Sequence, residues 1–293
     1  MADLLLVLLF LAVGSLGGFL AGLLGVGGGL IFIPVIDWFI RPVVYADIPT
    51  NSSEELVRFT LANSIALVFL SGVSGIYRQI KSGNYLLKES LAIGIPGAIA
   101  AASVNYLIHV GDWYDKQRFQ CVFLAFLLIS IYNMLFGKKE TQSQPMNDSE
   151  NSSFKGMGVG ILAGATVSLS GLGGGIIMVP LFRMILKKPM HLATSLSLSI
   201  VPLLSFLPLF QNLALSHPQE LFTDVRFLGM TNIWQTGYII WPMFIPMALG
   251  VLVFSSFGQK TAPKVPVRWL RIIFALLSTI ILIKTLYELF QKA

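Results

Sequence analysis

The run Gly25-Val26-Gly27-Gly28-Gly29-Leu30-Ile31-Phe32-Ile33-Pro34 returns 146 residues later as Gly171-Leu172-Gly173-Gly174-Gly175-Ile176-Ile177-Met178-Val179-Pro180. At the same offset, Gly14 and Gly18 fall opposite Gly160 and Gly164. Both clusters interrupt apolar sequence, and three consecutive glycines are poor helix because each one loses more backbone freedom on ordering than any other residue. Unpaired backbone in hydrocarbon costs several kcal/mol per polar group, so such a break is tolerated only where protein or a water-filled cavity encloses it. Two equivalent breaks therefore predict two internal repeats whose interruptions lie inside the molecule.

The surroundings are those of a membrane protein. Of 293 residues, 55% are hydrophobic and 12% charged, against about 25% charged in soluble chains. Residues 4–24, 62–76, 119–136 and 271–286 are nearly free of charge over about the length of a membrane crossing. Met1-Ala2-Asp3-Leu4 has no basic n-region, so 4–24 is read as a retained segment rather than a signal peptide. The formal charge of +6 resides in short loops, which argues against a nucleic-acid partner. Cys121 is the single cysteine and stands in an apolar run, where a small buried hydrophobe is expected and no metal or redox cluster can form.

Ten apolar segments follow, at about 3–24, 26–40, 58–77, 89–108, 118–136, 156–170, 173–186, 191–210, 235–257 and 269–288. The polar stretch 137–155 divides them, and an insertion at 41–55 occurs only in the first half. If each glycine element turns back as a hairpin, thirteen of the twenty Lys and Arg residues fall on one side: Arg78, Lys81 and Lys88; Lys138, Lys139 and Lys155; Arg183, Lys187 and Lys188; Lys260, Lys264, Arg268 and Arg271. Four similarly basic loops on one face mark it as cytoplasmic. The expected fold is an all-α polytopic membrane protein of two inverted repeats, each a glycine-tipped helical hairpin plus three transmembrane helices. The first repeat spans 1–136 with its hairpin at 3–40, a cytoplasmic linker occupies 137–155, and the second spans 156–293 with its hairpin at 156–187. Both termini are expected outside a multi-pass protein of the inner (cytoplasmic) membrane. Whether the hairpins are re-entrant or tilted across the membrane is left open.

The glycines suggest the chemistry. A helix restarting at Leu30 or Ile176 presents free N–H groups and the positive end of its dipole. Two such ends meeting from opposite faces would hold an anion with little side-chain charge. For Gly14, Gly18 and Gly22, and for Gly156, Gly160 and Gly164, the four-residue spacing favours close helix packing. Gly25, Gly27, Gly28 and Gly29, with Gly171, Gly173, Gly174 and Gly175, are the candidate substrate-binding positions.

Asn63-Ser64 and Thr194-Ser195, which align when Ala62 is set opposite Ala193, are read either as further donors to an oxyanion or as interhelical glue. His191 is an interfacial histidine or a proton-sensitive group at the cytoplasmic mouth. Arg58 either snorkels or draws anions in from the other side. Asp37 is expected at a membrane edge, His109 and His217 in loops, and the five tryptophans in an aromatic belt. No catalytic residue, metal or cofactor is expected.

In these motifs the chain resembles the sulfite-exporter family, TauE/SafE. That family carries a Gly-x-Gly-Gly-Gly cluster, a short apolar stretch and proline in each half, followed by an Ala-x-x-Ser element. The resemblance covers nearly the whole chain, departing from it at Asn63, where threonine is usual, and in the 41–55 insertion. It implies movement of small sulfur-containing anions such as sulfite, sulfoacetate or other organosulfonates. The expected function is secondary transport by alternating access, with export the expected direction. The partners are a small anion and the lipid bilayer, and the oligomeric state stays open. Neither cluster continues into Lys-Ser or Lys-Thr, so no phosphate loop for ATP is present. Two other classes remain: an anion channel of the same architecture, and an intramembrane hydrolase using Ser170 or Ser195 with His191.

Overall fold

The computed structural model describes residues 2–25, 27–44, 53–81, 87–111, 113–136, 149–186, 189–215 and 234–290. Among them are ten α-helices: α1 (Ala2–Leu24), α2 (Gly29–Val44), α3 (Ser53–Lys81), α4 (Leu87–Val110), α5 (Lys116–Phe136), α6 (Ser149–Ser170), α7 (Gly175–Met184), α8 (Met190–Ala214), α9 (Trp241–Thr261) and α10 (Val267–Phe290). A two-stranded antiparallel hairpin, β1 (Gln235–Thr236) and β2 (Ile239–Ile240), leads into α9. Each expected apolar segment lies wholly or mostly within a helix. The expected linker is partly helical, since α6 starts at Ser149, while 137–148 and most of the 41–55 insertion lie outside the described residues.

Among the described residues, five helices are long and apolar enough to cross a membrane, within α1, α3, α4, α8 and α9. The surface is apolar and part of the interior polar, the reverse of a water-soluble fold. Leu5, Ile99 and Ile283 are exposed, whereas Asn63, Ser64, Ser71, Ser197 and Asn212 are fully buried. Hydrocarbon offers polar groups no partners, so they collect where other helices supply them. Cys121 belongs to the outer surface: it is exposed on α5 rather than buried, because an apolar run on a lipid-facing helix turns outward. Trp38, Trp113, Trp234 and Trp269 are exposed.

Small residues set the helix pairing. On α1, a Cβ at Gly14 would fall on the Met247 carbonyl oxygen, one at Gly18 would lie 2.7 Å from Val251 Cα, and one at Gly22 would strike the Ser255 carbonyl. The order of these contacts makes α1 and α9 parallel. In the second half, Gly160 and Gly164 press on the carbonyls of Ile93 and Gly97, and Ser168 Oγ donates to Ala101 O at 2.6 Å, so α6 runs parallel to α4. The first arm of each hairpin is thus wedged against a helix of the other half. At the centre, α3 and α8 cross antiparallel, with Gly72 against Pro202 and Gly75 against Leu198.

α7 has only 10 residues, a rise of about 15 Å and half of a hydrocarbon core about 30 Å thick. As a helix it is too short to cross such a core by itself.

Candidate functional site

Each first arm ends on a left-handed glycine. Gly25 N–H donates to Ala21 O at 2.9 Å and has φ +70°; Gly171 N–H donates to Val167 O at 2.8 Å and has φ +64°. This is the common helix stop in which glycine adopts αL geometry. Two more left-handed residues follow, Gly27 (φ +85°) and Gly28 (φ +82°) in one turn, Gly173 (φ +82°) and Gly174 (φ +68°) in the other. The repeat is therefore kept in the backbone at the three left-handed glycines of each turn.

The two turns touch. A Cβ on Gly27 would lie 3.3 Å from Gly173 Cα, and one on Gly29 would fall on Gly171 O and 2.7 Å from Leu172 Cα. The first turn runs past the second in the opposite sense. Their neighbours on α3 are Ser64, Val68 and Ser71, at the middle of that helix, so the turns lie at half its height. Close packing by itself thus demands glycine at Gly25, Gly28 and Gly29, a role the sequence reading reserved for the four-residue series. Gly25 presses on the Thr194 backbone, and Gly28 on the Phe32 ring and Gly17 O.

Serines of the crossing helices hold the turns. Ser64 Oγ on α3 donates to Gly171 O at 2.8 Å, and Ser197 Oγ on α8 donates to Gly25 O at 2.8 Å. Each clamp reaches from one half to the glycine turn of the other. The equivalent of Ser64 is consequently Ser197, not Ser195. A register of 133 residues superposes Ser64 on Ser197, Val68 on Val201 and Leu70 on Leu203, a sequence signal that pairing Ala62 with Ala193 does not bring out. Ser71 Oγ adds a bond to Val68 O (2.8 Å) and approaches Gly27 O (3.1 Å).

The N-terminus of α7 receives no side-chain cap from Gly174. None of the atoms nearest the glycines belongs to a charged side chain. The junction offers backbone dipoles and hydroxyls, the chemistry of an anion site without formal charge.

The remaining candidates fall elsewhere. Asn63 is fully buried and ties down the β-hairpin: its Nδ2 donates to Phe59 O (2.8 Å) and Tyr238 O (2.9 Å), and its Oδ1 accepts from Ile240 N (3.0 Å). Thr194 packs under Gly25, and the Ser195 carbonyl accepts from Gln79 Nε2 (2.8 Å) and Ser199 Oγ (2.9 Å) at the Lys81 end of α3. His191 lies in the first turn of α8. Ser170 is a helix-end device, donating to Thr166 O at 2.6 Å and accepting from Leu172 N at 3.3 Å.

Arg58 does not snorkel. It is buried, its Nη1 donating to Glu55 Oε1 at 2.6 Å and its Nη2 to Gly111 O at 3.4 Å. His109 is in the last turn of α4 rather than in a loop, its ring 4.7 Å from that of Tyr238. Burial, aided by the nearby Glu55 carboxylate, pushes the Tyr238 phenol up to about 12 despite the opposing Arg58. Asp37 pairs with the buried Lys116 at 3.3 Å. His217 lies outside the described residues. A cavity of about 580 Å³ opens at the start of α5, lined by Trp113, Tyr114, Arg118, Cys121 and Leu169, and is separate from the glycine junction.

The family model described as sulfite exporter TauE/SafE matches residues 10–285. The chain belongs to that family. It is 28% identical over 272 residues, covering 93% of this chain and 92% of the relative, to a probable membrane transporter protein of Methanocaldococcus jannaschii. A probable membrane transporter protein of Haemophilus influenzae is 27% identical over 283 residues, 94% of this chain and 97% of its own. YunE of Bacillus subtilis, also described as a probable membrane transporter protein, is 24% identical over 214 residues, 66% of this chain and 73% of its own. No solved structure matches. This TauE/SafE member is a multi-pass membrane transporter, and its doubled glycine turn is the most distinctive element of its interior.

Proposed function

We propose that the protein is a secondary transporter that exports small sulfur-containing anions (sulfite, sulfoacetate or other organosulfonates) across the cytoplasmic membrane by alternating access. The observation that carries this reading is the junction of the two glycine turns: same backbone conformation, in contact, at half-height, each clamped by a serine of the opposite half. An anion held there would be met by backbone N–H groups of Gly27–Gly29 and Gly173–Gly175 and by the positive ends of α2 and α7. The hydroxyls of Ser64 and Ser197 could exchange their carbonyl partners for an oxyanion once the turns separate, with Thr194 packed beside Gly25. Asn63 and Ser195 act one step back, holding the hairpin and the Lys81 end of α3.

The helices equivalent under the repeat, α1 and α6, α3 and α8, α4 and α9, run in opposite directions, which supports an inverted pair of repeats. With basic loops inside, the Ser53 end of α3 faces outward, the Lys81 end faces the cytoplasm, and both termini lie outside. Alternating access then amounts to moving each hairpin against the opposite half, the shared junction serving as fulcrum.

Counterflow in proteoliposomes tests the proposal. Vesicles preloaded with unlabelled sulfite should accumulate labelled sulfite transiently, faster than empty ones. Equal uptake with and without preloading would make the protein a channel, and no flux of sulfite or any sulfonate would remove the substrate assignment. Gly29→Leu should abolish both flux and sulfite-induced thermal stabilisation.

A further inference from the structure

A buried ionisable cluster closes the Ser53 end of the bundle, one that none of the sequence motifs marks. Four elements build it. Glu55 and Arg58 come from α3, Asn105 and His109 from α4, Gln211 and Asn212 from α8, and Tyr238 from the β-hairpin. Asn105 Nδ2 donates to Gln211 Oε1 at 3.0 Å and to Asn212 Oδ1 at 3.1 Å. His109 Nε2 lies 2.8 Å from that same Asn212 Oδ1, and Tyr238 N–H donates to Asn212 O at 2.9 Å. Arg58 lies beside them, bonded to Glu55 and to Gly111 O just past the end of α4.

The hydrogen bonds fix the imidazole. Asn212 Oδ1 can only accept, so His109 Nε2 carries the hydrogen and Nδ1 is left as the basic atom of a neutral ring. Nδ1 is buried without a hydrogen-bond partner, and so are Asn212 Nδ2 and Glu55 Oε2. Three unmet polar atoms in one cluster are costly. Such a concentration of unmet polar atoms calls for a functional explanation, and a site that works by changing partners supplies one.

We propose that His109 is the transporter's proton-binding site and that its protonation opens the Ser53 end of the bundle. This rests on the transport reading above and names its coupling ion. The groups facing the ring among the described residues are the Arg58 cation with its Glu55 partner on α3, the Tyr238 phenol on the hairpin, and the neutral amides Gln211 and Asn212 on α8. A proton placed on Nδ1 in the closed arrangement would form a buried N–H with no acceptor, next to a guanidinium. Both penalties vanish if the end of α4 parts from Tyr238 and α8 and water reaches the ring. Closure and proton uptake therefore oppose one another, and acid on that side shifts the population toward opening. His191 stands at the opposite end of α8.

Sulfite flux in proteoliposomes, measured from about pH 8 to about pH 5.5, should change about tenfold in the wild type. His109→Asn should flatten the profile, with His109→Gln as the alternative should the first variant fold poorly. His191→Asn should keep the wild-type profile. A pH-independent wild type, or a His109 variant with the wild-type profile, overturns the proposal. Nitrogen NMR of imidazole-labelled protein in micelles separates this from the transport reading, its His109 signal assigned by loss in His109→Asn. If no vesicle moves sulfite at any pH, transport fails. The NMR then decides the site alone: uptake of a proton by His109 together with a change in fluorescence of the stacked Trp234 and Trp241 pair supports it, and a ring that stays neutral while that pair is unchanged refutes it.

Discussion

The turn at Gly25–Gly29 and the turn at Gly171–Gly175 share their left-handed positions and their serine clamps, whereas the two ends of the bundle share almost nothing. The register that superposes Ser64 on Ser197 also superposes Gln79 on Asn212. Gln79 bonds to Ser195 O and to the Ser199 hydroxyl. Asn212 bonds to His109 and Asn105, within reach of Arg58 and Glu55. The centre is constrained by close backbone contact, which a side chain at Gly25 or Gly29 would break, and both copies keep the glycines. The ends depend more on side-chain pairing and can diverge, which is how a duplicated frame comes to carry a buried His–Asn–Arg–Glu cluster at one end and an amide–hydroxyl contact at the other.

The likeness at the centre breaks first where added atoms meet backbone. Gly29→Leu should be the most damaging change, costing about 3 kcal/mol or more, because its Cβ strikes Gly171 O and Leu172 Cα. Gly25→Ala should cost more than Gly171→Ala despite their common left-handed φ. The first meets Thr194 backbone at 2.6 Å, the second meets movable side-chain carbons of Leu61 and Ile33 at 3.0 and 3.3 Å. Thermal unfolding in detergent ranks the three, with Gly158→Ala as a control that should not destabilise, since its Cβ enters open space. Equal losses at Gly25 and Gly171 would mean that φ alone, and not contact, governs the turns.

Next in size is the contrast between the ends. Asn212→Ala strips the acceptor from both His109 and Asn105 in a fully buried place and should cost about 2–4 kcal/mol. Gln79→Ala leaves Ser199 bonded to Ser195 O and should cost about 1–2 kcal/mol. Smaller again are the clamps: Ser64→Ala and Ser197→Ala should each cost about 1 kcal/mol, by the same amount within error. A large difference between them, read by thermal shift, would show that the two turns are alike in shape but not in load.

Much of this frame was legible beforehand. Apolar run length located the helices, and the doubled glycine cluster located the two breaks, because both are properties of contiguous sequence. The four-residue glycine series read correctly as packing, since Gly14, Gly18, Gly160 and Gly164 all sit against backbone. The partner of Ser64 was misplaced by two residues, because the insertion after α2 removes the continuity on which an alignment depends. The contact between Gly29 and Gly171, and the cluster around Asn212, join residues more than a hundred positions apart. His109 read as a loop residue because the polar residues just beyond it hide the helix end, and no periodic pattern marks a partner supplied by α8.

Tyr238 offers the finest test of the ionisable end. Its phenol is held well above the ordinary tyrosine value, up to about 12, by burial first and by the Glu55 carboxylate second, with Arg58 opposing. A folded-state value raised above the unfolded one contributes stability that is present below about pH 10 and lost as pH rises toward about 12. Tyr238→Phe removes that contribution, so the wild type should lose about 1 kcal/mol more than the variant between about pH 9 and about pH 11.5. Lysines and the other tyrosines titrate in the same window, but they are common to both proteins and cancel in the difference. Parallel thermal unfolding of the two across that range measures it. Superimposable curves would mean that the phenol is open to water, and that the hairpin seals the Ser53 end less tightly than its bonds to Asn63 and Asn212 indicate.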